Sequence, residues 1–141
     1  MTKQKTNTLS DSEVQQRLRA IGLRPTRQRL ALATLLFAQG DRHVSADDLF
    51  KEARANGIAV SLATIYNTLH EFTAKGLLRA VSVDSLGTYF DTNASDHHHF
   101  FFERSGHLQD IPNNDVHISS LPQAPKGTKV SRVDVVIRLK D

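Results

Sequence analysis

Four times between Ser10 and Gly76, a helix start signal is followed a few turns later by a glycine that can stop it. Ser10 and Glu13 have capping-box spacing, Val14, Leu18 and Ile21 share one helical face, and Gly22 closes the segment. The second segment opens near Pro25 and Thr26, carries Leu30, Ala33, Leu36 and Phe37, and stops at Gly40. A second capping box, Ser45 with Asp48, opens the third, which passes Leu49 and Ala53 on its way to Gly57. The fourth starts at Ser61 and runs through Ile65, Leu69 and Phe72 to Lys75. Beyond Gly76 the hydrophobic period switches from helical to alternating. Residues 77–83 and 88–91 read as two strands around a tight turn at 84–87. Short helices followed by a hairpin form the layout of a winged helix-turn-helix, with residues 58–60 as a short strand or connector.

The remainder is less regular. Residues 100–103 and 107–111 suggest a second hairpin turning near Arg104 and Gly106, and the prolines of 112–128 make that stretch mostly irregular. Residues 129–139, rich in valine and isoleucine, read as one long last strand. Residues 1–9 have little to bury and read as a disordered tail. No stretch is apolar for long enough to span a membrane and the N-terminus lacks an apolar signal core, so a cytoplasmic location with no membrane partner is expected.

Charge and histidine divide the chain. Residues 1–80 hold 12 Lys/Arg against 7 Asp/Glu, whereas residues 81–141 hold 6 against 8 together with five of the seven histidines. A basic first part suits a polyanion and an acidic, histidine-rich second part suits a cation. There is no cysteine, which excludes disulfides, thiolate catalysis and cysteine-bound zinc or haem. Any metal must be held by His, Asp, Glu or backbone oxygen.

The fourth helix would enter a major groove N-terminus first. Ser61, Ala63, Thr64, Tyr66 and Asn67 are its early outward positions, and their hydroxyls, amide and methyl can meet phosphates or base edges. Arg24, Arg27 and Arg29 open the second helix as candidate phosphate clamps, and Arg79 opens the proposed wing. The plainer alternative makes Tyr66 a core aromatic and the arginines solvated. In a strand, His97 and His99 point to one face and His98 to the other, so two imidazoles and a nearby carboxylate could share a metal. A solvent-exposed triplet would instead bind nickel or zinc only adventitiously.

The run His43-Val44-Ser45-Ala46-Asp47-Asp48-Leu49-Phe50, then Val60-Ser61-Leu62-Ala63-Thr64-Ile65-Tyr66-Asn67-Thr68-Leu69, closely resembles the ferric uptake regulator (Fur) family. So do Leu23-Arg24-Pro25-Thr26-Arg27-Gln28-Arg29 and Tyr89-Phe90-Asp91 leading into His97-His98-His99. The likeness covers about residues 13–111. Within the family, the histidine triplet and the missing cysteines look most like the iron response regulators (Irr) of rhizobia and their relatives.

The resemblance implies an α+β homodimer. An N-terminal winged helix-turn-helix domain (10–92) would precede a small α/β dimerisation and metal- or haem-sensing domain with an antiparallel sheet (93–141). It implies palindromic, AT-rich double-stranded DNA operators of iron-responsive genes. Arg24, Arg27, Ser61, Thr64, Tyr66 and Asn67 are the candidate DNA contacts; Asn67 stands where Fur proper commonly has arginine, which fits a different operator. His43, Asp91, His97, His99 and Asp110 match the family's regulatory metal site, with Asp91 replacing the usual glutamate. Asp96, His98 and His117 match part of a second site. Phe102 and Ser105 stand where many relatives carry the cysteines of structural zinc, so none is expected and Phe102 should pack in the core. Mn2+ or Fe2+ would serve as effector, with Zn2+ possible in vitro. Irr-like character implies haem on His97, His98 or His99, lowering operator affinity.

The last strand would be a sticky edge unless it paired with its twin across a two-fold axis or within its own sheet. Other readings are a Fur- or Mur-type repressor activated by Fe2+ or Mn2+ without haem, and a metal or haem carrier with no DNA role. No HExxH helix, nucleophile motif or Gly-rich phosphate loop supports an enzyme.

Overall fold

The structure, a computed structural model, describes residues 9–83, 87–112 and 115–140. The chain divides into two compact units, Met1–Ala94 and Ser95–Asp141.

In the first unit the capping signals set the helix starts. Helix α1 (Asp11–Ala20) and helix α3 (Ala46–Ala55) begin at full capping boxes, Ser10 with Glu13 and Ser45 with Asp48. Thr26 caps α2 (Arg27–Phe37) and Ser61 caps α4 (Leu62–Ala74), each accepting from the backbone N–H three residues on. Gly76, at φ 81°, takes the left-handed conformation that ends α4 and turns the chain toward the wing. Val14 and Leu18 of α1, Leu32, Ala33, Leu36 and Phe37 of α2, Leu49 and Ala53 of α3, and Ile65, Leu69 and Phe72 of α4 meet in one core with Val44 and Phe90.

Three short strands complete this unit: β1 (His43–Ser45), β2 (Arg79–Ser82) and β3 (Thr88–Asp91), in the order β1-β3-β2 and antiparallel throughout. The third strand comes from residues 43–45, not from 58–60, which connect α3 to α4 without pairing. The reason is packing: Val44 is fully buried, so its neighbours are drawn into register against β3. Leu9 also departs from the expected tail, because its N–H bonds the Phe37 carbonyl at 3.2 Å and its side chain packs on the core. The tail residues 1–8 and the turn positions 84–86 lie outside the described residues.

The second unit is a mixed sheet of β4 (His98–Phe102), β5 (His107–Ile111) and β6 (Val136–Leu139), in the order β5-β4-β6. The β4–β5 hairpin is antiparallel; β6 joins the other edge of β4 in parallel. Among the described residues this unit contains no helix, so its layers are strand and irregular chain. The long strand expected over 129–139 is confined to its last four residues. Its ladder stops where β4 begins: His99 N–H bonds the Val135 carbonyl, and the Val135 N–H turns instead to the His98 side chain at 3.1 Å. Phe101, not Phe102, fills the core of this unit with Leu108 and Ile111; Phe102 is half-buried against the His107 ring. The alternation of β4 leaves no other choice, since adjacent residues face opposite sides. Among the described residues no helix is long and apolar enough to cross a membrane.

Phe72 has no exposure and joins α4 to the rest of its core. Phe72→Ala should therefore lower unfolding free energy by about 3–5 kcal/mol, measured by chemical denaturation.

Candidate metal centre and nucleic-acid interface

Strand β3 is central, so Asp91 lies opposite His43 of β1 on one side and Arg79 of β2 on the other. The Asp91 side chain is fully buried. Its Oδ1 accepts from the Asn93 N–H at 2.9 Å and its Oδ2 lies 2.9 Å from His43 Nε2. This holds the carboxylate and the imidazole together in the folded unit. Arg79 is buried in the same row, so it is not a surface cation of the wing.

The second unit brings two histidines and a carboxylate together at the start of β4. His97 and His99 are buried, with ring centroids 4.5 Å apart, and both direct Nε2 at Asp110 Oδ1 of β5, at 3.1 and 3.3 Å. The register places His99 directly across from Asp110. The His97 Nδ1–H donates to the Ser95 carbonyl at 2.7 Å, because a carbonyl can only accept. In the neutral ring Nε2 is then the bare nitrogen, the tautomer a metal ligand needs. Two acceptors facing each other call for a proton or a cation between them. The ligand atoms of His97, His99 and Asp110 lie within 4.8 Å of one another. Imidazole nitrogen and carboxylate oxygen, with no thiolate, form a donor set that suits Mn2+, Fe2+ or Zn2+.

Among the described residues, Asp96, His98 and His117 do not form a ligand group like that of His97, His99 and Asp110. His98 lies on the opposite face from His99, its Nδ1 lone pair is taken by the Val135 N–H, and His117 is exposed in irregular chain. His98 also lines an open cavity of about 220 Å3 with Asp96, Ile111, Ile118 and Arg132, in which His117 has no part.

On α4, Tyr66 is 42% exposed and Asn67 is exposed, so Tyr66 is not a core aromatic. The Tyr66 ring stacks on that of His70, centroids 6.3 Å apart, and His70 meets the edge of Phe90 at 5.7 Å. His70 stands four residues on from Tyr66, the helical spacing that brings their rings together. Ser61 and Thr64 are engaged at the cap: Ser61 Oγ accepts from the Thr64 N–H at 3.1 Å and lies 3.0 Å from the Thr64 hydroxyl. Both still lie at the helix end with the unpaired N–H groups, where an anion is favoured. No acidic side chain stands in that first turn. The three arginines divide. Arg24 and Arg27 are exposed, whereas Arg29 donates through Nε and Nη2 to Glu71 Oε1, each at 3.0 Å, and ties α2 to α4. Arg29 is thus a strut, not a phosphate clamp.

The chain matches the model of the ferric uptake regulator family over residues 20–138. It is 32% identical over 99 residues to the peroxide operon regulator of Bacillus subtilis, covering 70% of this chain and 68% of that one. It is 29% identical over 103 residues to the ferric uptake regulation protein of Bordetella parapertussis, covering 72% and 74%. The fold resembles that of the ferric uptake regulator from Pseudomonas aeruginosa solved with manganese, with a TM-score of 0.66 at 22% identity over 89% of this chain and 96% of that one. These likenesses reach the family and do not single out its Irr branch. With four helices and two small sheets among the described residues, and a matching family model over most of its length, the chain belongs to the ferric uptake regulator family of DNA-binding, metal-responsive transcription regulators and is not an enzyme.

Proposed function

We propose that this protein is an iron-responsive regulator that binds palindromic, AT-rich operators as a homodimer, its operator affinity set by a divalent ion held by His43, Asp91, His97, His99 and Asp110. The observation that carries the reading is the preset pairing of imidazole and carboxylate in both units: His43 with Asp91, and His97 and His99 with Asp110. The pairs come from different compact units, and an ion that takes ligands from both favours one arrangement of the two. Manganese accompanies the Pseudomonas relative, and the same ion or ferrous iron suits this donor set. Zinc would compete in vitro.

The interface would be read by α4. Tyr66 and Asn67 supply contacts to base edges, Ser61 and Thr64 sit at the phosphate-favouring helix end, and Arg24 and Arg27 neutralise backbone phosphates. A dimer would present two such helices to the half-sites of a palindrome.

A second, Irr-like reading puts haem at the triplet. Its support is the His97 tautomer, whose bare Nε2 is what haem iron takes as an axial ligand. His98 offers less, with its Nδ1 lone pair already occupied, and His99 shares the Asp110 oxygen. Because His97 Nε2 also belongs to the ion site, haem and a divalent ion would exclude one another there. Haem would then lower the affinity that the ion raises.

Titrating the protein onto an AT-rich palindrome with Mn2+, with a chelator and with haem tests both readings. An affinity that rises with Mn2+ and falls with chelator supports the first; the same affinity under all three conditions rejects both. Removing an outer partner of a metal ligand typically weakens binding about 10–100-fold, so His99→Ala, which removes a ligand, should weaken Mn2+ by at least that much in calorimetry. Tyr66→Ala should weaken operator binding by about 1–3 kcal/mol and leave Mn2+ affinity unchanged. Arg27→Ala should lower the slope of log affinity against log salt by about one, with little change in sequence preference.

A further inference from the structure

Resting on the metal reading above, we propose that Arg42 and Thr92 form a positioning link through which an ion held at His43 and Asp91 is felt by α3 and, through it, by the operator-reading helix. Arg42 immediately precedes His43 and Thr92 immediately follows Asp91, so the two flank the ligand pair as one further rung of the β1–β3 register. That rung is closed twice. The Arg42 N–H donates to Thr92 Oγ1 at 2.8 Å, and the Thr92 N–H donates to the Arg42 carbonyl at 3.0 Å. Thr92 is buried, so its hydroxyl has little competition from water.

The Arg42 side chain runs the other way, into the helical layer. Nη1 donates to Glu52 Oε1 at 2.8 Å, and Nη2 bonds Glu52 Oε2, a two-pronged pairing with a planar fork. Nη1 also reaches the Leu35 carbonyl of α2 at 3.3 Å. Glu52 belongs to α3, and α3 packs on α4. A change in the spacing of His43 and Asp91 therefore moves the Arg42 backbone, and the fork carries that movement to the helix that supports Tyr66 and Asn67.

A purely stabilising role makes a different prediction. The pair is partly solvated, with side chains 22% and 34% exposed, and solvated pairs of this kind add little to stability. A strut alone would change stability slightly and leave the response to the ion intact.

Operator affinity of the full chain, measured with and without Mn2+, separates the two. In the wild-type protein Mn2+ should strengthen operator binding by a factor in the range of roughly 5–150. Glu52→Gln, which keeps the shape and loses the charge, should cut that factor at least about fivefold while leaving the melting temperature and the metal-free operator affinity near wild type. Thr92→Val should act in the same direction, and Thr92→Ser, which keeps the hydroxyl, should restore the response. The link is overturned if both Glu52→Gln and Thr92→Val respond to Mn2+ as the wild type does, or if they lose stability and affinity equally in both conditions. A wild-type protein indifferent to Mn2+ would reject the sensing reading itself, and the link with it.

Discussion

A carboxylate with no solvent exposure stands in the middle strand of the first sheet, and the arrangement of the unit around it follows from the need to satisfy that charge. An unpaired carboxylate there would cost several kcal/mol, a large share of the stability of a domain this size. Asp91 is met by His43 from one neighbouring strand, lies in register with Arg79 of the other, and takes the Asn93 N–H on its second oxygen. This explains why a three-residue segment next to a helix cap becomes a strand. Without β1, the buried oxygen would lose its imidazole. On the proposed reading, two of the ligands are already paired before any ion arrives, so few groups would need ordering when one binds.

The helical layer shows the same economy of charged groups. Arg29 of α2 and Arg42, just before β1, pair with helix glutamates, Glu71 of α4 and Glu52 of α3. Arg29 joins α2 to α4, and Arg42 bonds both Glu52 of α3 and the Leu35 carbonyl of α2. Arg24 and Arg27, lacking such a glutamate contact, remain at the surface beside the start of α2. The division between structural and available cations is therefore made by where the acids fall. It leaves positive charge on a face whose neighbouring helix end already favours anions.

The second unit, without cysteine, is held by apolar packing. Phe101, Leu108 and Ile111 bury one face of the β4–β5 hairpin, and the Arg138 guanidinium lies over the Phe101 ring at 5.0 Å. His97, just before β4, and His99 within it are turned inward to Asp110. One face of this stretch thus combines a His/Asp cluster and an apolar plug. Period-two alternation permits this because the histidine and phenylalanine positions that share a face are an even number of residues apart.

Much of this was legible without coordinates. Helix starts at Ser10, Thr26, Ser45 and Ser61, stops at glycine and the hairpin spacings depend on contacts within about four residues, and the chain states them locally. The grouping of His97 and His99 on one side, away from His98, follows from the same local periodicity. Pairing across distance was not legible. That Arg29 is a strut while Arg27 is free, that His70 backs Tyr66, that residues 43–45 form the third strand, and that β6 is only four residues long all depend on register between segments far apart in sequence. Local signals decide which element forms; the partner across the sheet or helix layer decides what a given side chain does there, because hydrogen bonds and burial are settled only when both surfaces are in place.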